Sequence, residues 1–74
     1  MEIPPTIFVA LLGEGVPCWR PAAATAVSES IFRIEDSVPE GESWEFQSGQ
    51  LVKCELRSFP DGSSGLVAIE SEPA

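Results

Sequence analysis

A chain of 74 residues has room for one hydrophobic core, because a chain of this size buries only about 60% of its unfolded surface. Hydrophobic residues make up 43% of it, which marks a folding chain rather than a disordered one. Twelve Asp and Glu against four Lys and Arg give a formal net charge of −8, which sets the surface against polyanions.

The first residues, with acidic Met1-Glu2 and then Pro4-Pro5, supply neither the basic nor the apolar part of a secretory leader, so a cytoplasmic location is expected. The longest apolar run, Ile7 to Leu12, is far short of the roughly 20 residues of a membrane span, and no membrane association is expected. Proline has no N–H to donate, so residues 1–5 predict an extended lead-in with a frayed start. Thr6 to Leu12 predicts the first strand, with Ile7, Phe8 and Val9 favouring a pleated backbone. It is apolar on both faces, as expected where one face meets the core and the other a partner or a covering segment. Gly13-Glu14-Gly15 ends it.

Val16 to Val27 permits two readings. Pro21 followed by three alanines suits the first turn of a short helix. The β-branched Val16, Thr25 and Val27, followed by Ser28-Glu29-Ser30 and the run Ile31 to Ile34, favour two strands of a hairpin. As a strand, the segment places Trp19, Pro21, Ala23, Thr25 and Val27 on one face. Glu35 to Ser43 is an acidic loop by its proline, glycine and charge.

Trp44 to Phe59 is the organising stretch. From Leu51 onward Val52, Cys54 and Leu56 alternate with Lys53, Glu55 and Arg57, the period of a half-buried strand; at 100° per residue no continuous apolar stripe would form. Pro60 to Gly65 predicts a turn and Leu66 to Ile69 the last strand, with a frayed polar tail at 71–74. Five short strands predict one small all-β barrel built from a curled antiparallel sheet. Its expected core is Ile7, Val9, Leu11, Val27, Phe32, Ile34, Phe46, Val52, Leu56 and Ile69.

The run Phe46-Gln47-Ser48-Gly49-Gln50-Leu51-Val52-Lys53-Cys54, an aromatic residue, a glycine turn and an alternating strand, resembles the entry to a strand in SH3-like barrels. With Trp19-Arg20-Pro21 and Leu66-Val67-Ala68-Ile69-Glu70, nearly the whole chain resembles a group of small uncharacterised bacterial proteins with a variant Sm-like barrel. The resemblance implies a strongly bent five-stranded sheet and, for true Sm proteins, ring assembly and RNA binding. Sm proteins usually carry an asparagine in the RNA-facing loop and an Arg-Gly or Lys-Gly near the last strands; this chain has none of these. SH3 grooves use tyrosines, also absent here. Neither pocket carries over residue by residue.

Histidine is absent, which removes the usual base of Ser-His and Cys-His sites and the commonest transition-metal ligand. The chain is therefore read as a non-enzyme. Cys18 and Cys54 lack C-x-x-C spacing and read as reduced thiols, Cys54 as a small core residue and Cys18 as a surface group. Glu35, Asp36, Glu40 and Glu42 lack the alternating ligand pattern of a calcium loop, so no metal or cofactor is expected. Four basic side chains cap the phosphate contacts available to nucleic acid, which is not expected as a partner on that ground. Trp19 and Trp44 read either as barrel plugs or as stacking surfaces. The leading expectation is a protein-interaction module, self-associating through the two-sided first strand, with Trp19, Arg20 and Pro21 as binding residues. The alternative is a divergent Sm-like RNA-binding protein.

Overall fold

A computed structural model of the chain describes residues 5–16 and 18–72. Five strands follow in order: β1 Thr6–Ala10, β2 Trp19–Ala26, β3 Ile31–Ile34, β4 Leu51–Ser58 and β5 Ser64–Ser71. Each pairs antiparallel with the next, and β1 meets β5 through Ile7↔Leu66 and Phe8↔Val67 to close a barrel. The all-β architecture is the expected one, but the sheet is not antiparallel throughout. In an up-and-down ring of five strands the first and fifth run the same way, so the seam is parallel.

Residues 1–4 of the expected lead-in and 73–74 of the expected tail lie outside the described residues, as does Pro17. The Pro5 carbonyl accepts the Ala24 N–H at 2.9 Å. At the other end Ser71 is still in β5, and the Glu72 N–H donates to the Leu51 carbonyl at 2.9 Å, so 71–72 are tied to the sheet rather than frayed. β1 is shorter than expected. After Ala10 its direction is carried on by Leu11, bridged to Trp44, and by the Leu12 N–H on the Ser43 carbonyl.

The ambiguous second segment is strand. Pro21 is tolerated because its nitrogen points away from β1, as does the Ala23 N–H, which donates to Asp36 Oδ2 at 2.9 Å. On that side β3 pairs with β2 only from Ala24 onward, so no ladder bond is missing. Alternation then turns Ala22 and Ala24 inward, 1% and 0% exposed. Their small side chains suit the narrow interior of a five-stranded ring.

The core contains Ile7, Val9, Phe32, Ile34, Phe46, Val52 and Cys54, all buried, together with Ala22, Ala24, Ala68 and Trp44. Leu11 and Ile69 are half-buried. Two expected core residues are corrected. Val27, 52% exposed, lies in the β2–β3 turn, where its N–H donates to the Ile31 carbonyl. Leu56, 68% exposed, lies where β4 has passed the end of β3 and, among the described residues, only β5 runs beside it, which leaves that face uncovered by them. A register shift between Lys53 and Cys54 sets them opposite Glu70 and Ala68, leaving Ile69 as the extra residue of a bulge. Such bulges sharpen the bend of a strand pair.

Candidate functional site

With Ile7 and Val9 inside, alternation sends Phe8 to the outer wall of β1. Directly across on β2 stands Pro21, and Ala10 faces Trp19 one step along. The third contributor arrives from the β4–β5 hairpin tip. There the Phe59 N–H donates to the Ser63 carbonyl at 2.8 Å and the Gly62 N–H to the Phe59 carbonyl at 3.0 Å. Gly62 has φ +92°, a conformation that favours glycine. This tight turn lays Phe59 across the neighbouring strands. Its ring meets Phe8 edge-on, centroids 5.0 Å apart and planes at 65°, and Trp19 at 5.6 Å and 58°. These are the offsets that aromatic quadrupoles favour.

Phe8, Trp19, Phe59, Pro60, Asp61 and Ser63 line an open groove of about 390 Å³. Asp61 is held by its own turn, its Oδ1 accepting the Ser63 N–H at 2.9 Å and the Ser63 hydroxyl at 2.6 Å. The hydroxyl bond and then the amide bond keep this carboxyl below its ordinary pKa, so it is charged at neutral pH. The outer face of β1 is therefore met by the chain's own Phe59, itself packed on Trp19, so of the two coverings expected there, a partner or a covering segment, the chain supplies the second at Phe8.

Of the three residues singled out in the sequence, Trp19 lies in this groove and is 38% exposed. Pro21 lies on the same wall, exposed, opposite Phe8. Arg20 turns the other way. Its Nε–H donates to Glu42 Oε1 at 3.1 Å and its Nη2 pairs with Glu42 Oε2, while the Trp44 Nε1–H donates to the same Oε1 at 2.9 Å. Arg20 first and Trp44 second hold the Glu42 carboxyl below its usual range. This clasp fastens the loop after β3 to the end of the barrel where β2 begins, and Trp44, 2% exposed, plugs that end. The two tryptophans thus divide the roles left open: one is core, the other surface.

The remaining carboxylates of the acidic loop also serve the chain itself. Glu35 Oε2 accepts the Thr25 hydroxyl at 2.6 Å and the Arg33 Nε–H at 2.9 Å, and Asp36 caps the Ala23 N–H. Among the described residues no three His, Cys, Asp or Glu gather to hold a metal, and no helix is long and apolar enough to cross a membrane. Both cysteines are free; burial pushes the Cys54 thiol up to about 11.

Sequence reasoning passed over Phe8, Phe59 and Asp61. Phe8 was legible as outward-facing from its place between Ile7 and Val9, and Phe59 from its place before Pro60-Asp61-Gly62. Their meeting was not, because it depends on the hairpin tip reaching across the β1–β5 seam. The fold and this groove together define a small closed β-barrel with an aromatic, acid-edged cleft on its outer wall. No protein-family model, curated protein or solved structure matches the chain.

Proposed function

We propose that this chain is a non-enzymatic β-barrel that works as a protein-interaction module, with the Phe8–Trp19–Phe59 groove as its contact surface. One observation carries the reading: Trp19 is 38% exposed while braced against Phe59. A large ring held rigid and open can bury area on a partner at little entropic cost, the property that makes tryptophan frequent among binding hot spots. Pro21 extends the same wall, and Arg20, through Glu42, fixes the start of the strand that presents Trp19.

Self-association has its own support in the free edge of β4. Beyond Cys54 that strand pairs, among the described residues, only with β5, and Leu56 is 68% exposed there, a geometry open to strand pairing with a second copy. A charge of −8 on each copy opposes it. The Sm-like RNA-binding reading shares the barrel architecture. It has few cations to offer phosphate, since Arg20, Arg33 and Arg57 are paired with Glu42, Glu35 and Glu55.

The test is photo-crosslinking in an extract of the native cell, with benzoylphenylalanine at position 19 and, as control, at Thr25 near the far end of β2. Discrete protein adducts at 19 that are missing at 25 are expected. Identical patterns at both positions, or adducts only to RNA, reject the reading; adducts only to the chain itself assign the groove to self-association.

A further inference from the structure

We infer that the groove takes an arginine side chain, presented by an extended segment of a basic partner, with the guanidinium stacked on Trp19 and its N–H fork turned to Asp61. The inference rests on the interaction-module reading and narrows it to one class of occupant.

Four observations converge. The groove is about 390 Å³, room for one or two side chains rather than for a large cofactor, and it is open along its length. Its walls are of two kinds: the aromatic rings of Phe8, Trp19 and Phe59 with Pro60, and the carboxylate of Asp61. Both hydrogen bonds from Ser63 end on Asp61 Oδ1, so neither occupies Oδ2. That oxygen is left to accept from a ligand while the rest of the group stays fixed. Finally, the whole chain carries −8, so a cationic partner is drawn in and an anionic one repelled.

Arginine satisfies both walls at once. Its planar guanidinium stacks on an aromatic face and donates in-plane to a carboxylate, whereas an ammonium does the first as a point charge and lacks the fork for the second. A second copy of this chain is a poor source. All three arginines are already paired within the described residues, with Glu42, Glu35 and Glu55, and a second copy brings another −8.

Trp44 supplies an internal control. Its indole N–H is buried and bonded to Glu42, while Trp19 lines the groove, so the two indole signals in a ¹H–¹⁵N spectrum report the core and the groove separately. Twelve-residue Gly-Ser-Pro peptides carrying two arginines, two lysines, two glutamates or no charge are titrated into the intact protein. The arginine peptide is expected to move the Trp19 signal saturably and leave Trp44 in place. It should bind at least about threefold more tightly than the lysine peptide, with binding weakened by salt. Asp61→Asn should weaken it by about threefold or more, and Trp19→Ala, read from the Gly62 and Ser63 amides, by about tenfold. Equal response to arginine and lysine, or no effect of Asp61→Asn, overturns the arginine assignment. If no peptide moves Trp19 but partner adducts form at position 19, the class of occupant is wrong and the module reading stands. If neither occurs, both fall.

Discussion

The ring of Phe8 lies directly on Gly65: a β-carbon built on that glycine would stand 2.5 Å from Phe8 Cε2 and 2.9 Å from Cδ2. The contact joins β1 to β5 on the outer wall, beside the parallel seam at Phe8↔Val67, and it lets Phe8 settle low enough for Phe59 to meet it edge-on. Glycine is required here for space and not for backbone conformation.

Gly65→Ala is therefore expected to destabilise the barrel by about 1–3 kcal/mol, the usual range for overpacking. In a Phe8→Ala background the same change should cost little, because the obstructing ring is gone. Urea denaturation of the two single variants and the double variant checks this as a cycle. An equal cost in both backgrounds would exclude the ring contact as the cause.

Position within the barrel, more than residue type, should set the cost of truncating an aliphatic side chain. Ile34, 0% exposed, is expected to lose about 2–5 kcal/mol on change to Ala. Leu56, 68% exposed on the free part of β4, should stay within about 0.5 kcal/mol. Denaturation midpoints for the two variants decide between this structure and a barrel whose core continues along β4.

Acid should loosen the clasp at Glu42. Its folded pKa lies below the ordinary 4.5, through Arg20 first and Trp44 second. A depressed carboxyl contributes stability that is whole above the unfolded pKa and is lost as pH falls through the folded value. Glu42→Gln should accordingly melt lower than the wild type at pH 7, and the gap should narrow as pH falls below the ordinary 4.5 and through the lower folded value. Glu35 and Asp61 are lowered as well, so the variant keeps part of its acid sensitivity. Melting temperatures from pH 2 to 7 test the convergence.

The cysteines should differ in reactivity. The Cys54 thiol, 5% exposed and raised from 9.0 to about 11, has almost no thiolate at pH 8, whereas Cys18 is half-buried near the start of β2. One equivalent of iodoacetamide is expected to react quickly, at Cys18, and the second only on unfolding; peptide mapping locates the label. Because the folded pKa of Cys54 is the higher one, its contribution to stability is present below pH 9 and falls away as pH rises toward 11. Cys54→Ala should remove that alkaline loss.

The alternation of Val52, Cys54 and Lys53 was enough to fix the inward face of β4, because a period of two admits one assignment once a core exists on one side. The same rule placed Trp19 and Pro21 on a common wall. It failed for Leu56, where the pattern continues but the neighbouring strand does not. It failed for Val27 at a turn, where alternation no longer bears on burial. The helix alternative over Pro21 to Ala24 rested on local propensity, which barrel closure overrides when only small side chains fit the interior.

By itself, then, the order of residues determined the strands other than β2, the turns between them and the inward side of β1, of β3 and of β4 as far as Cys54, since these follow from local periodicity and from glycine and proline geometry. Only the tertiary structure decided that the seam is parallel, that Trp44 is the plug while Trp19 is surface, and that Phe8, Phe59 and Asp61 share one groove. Those facts depend on contacts between segments far apart in the chain, such as Leu11 with Trp44 and Phe8 with Phe59, and local alternation carries no record of which distant strands will meet.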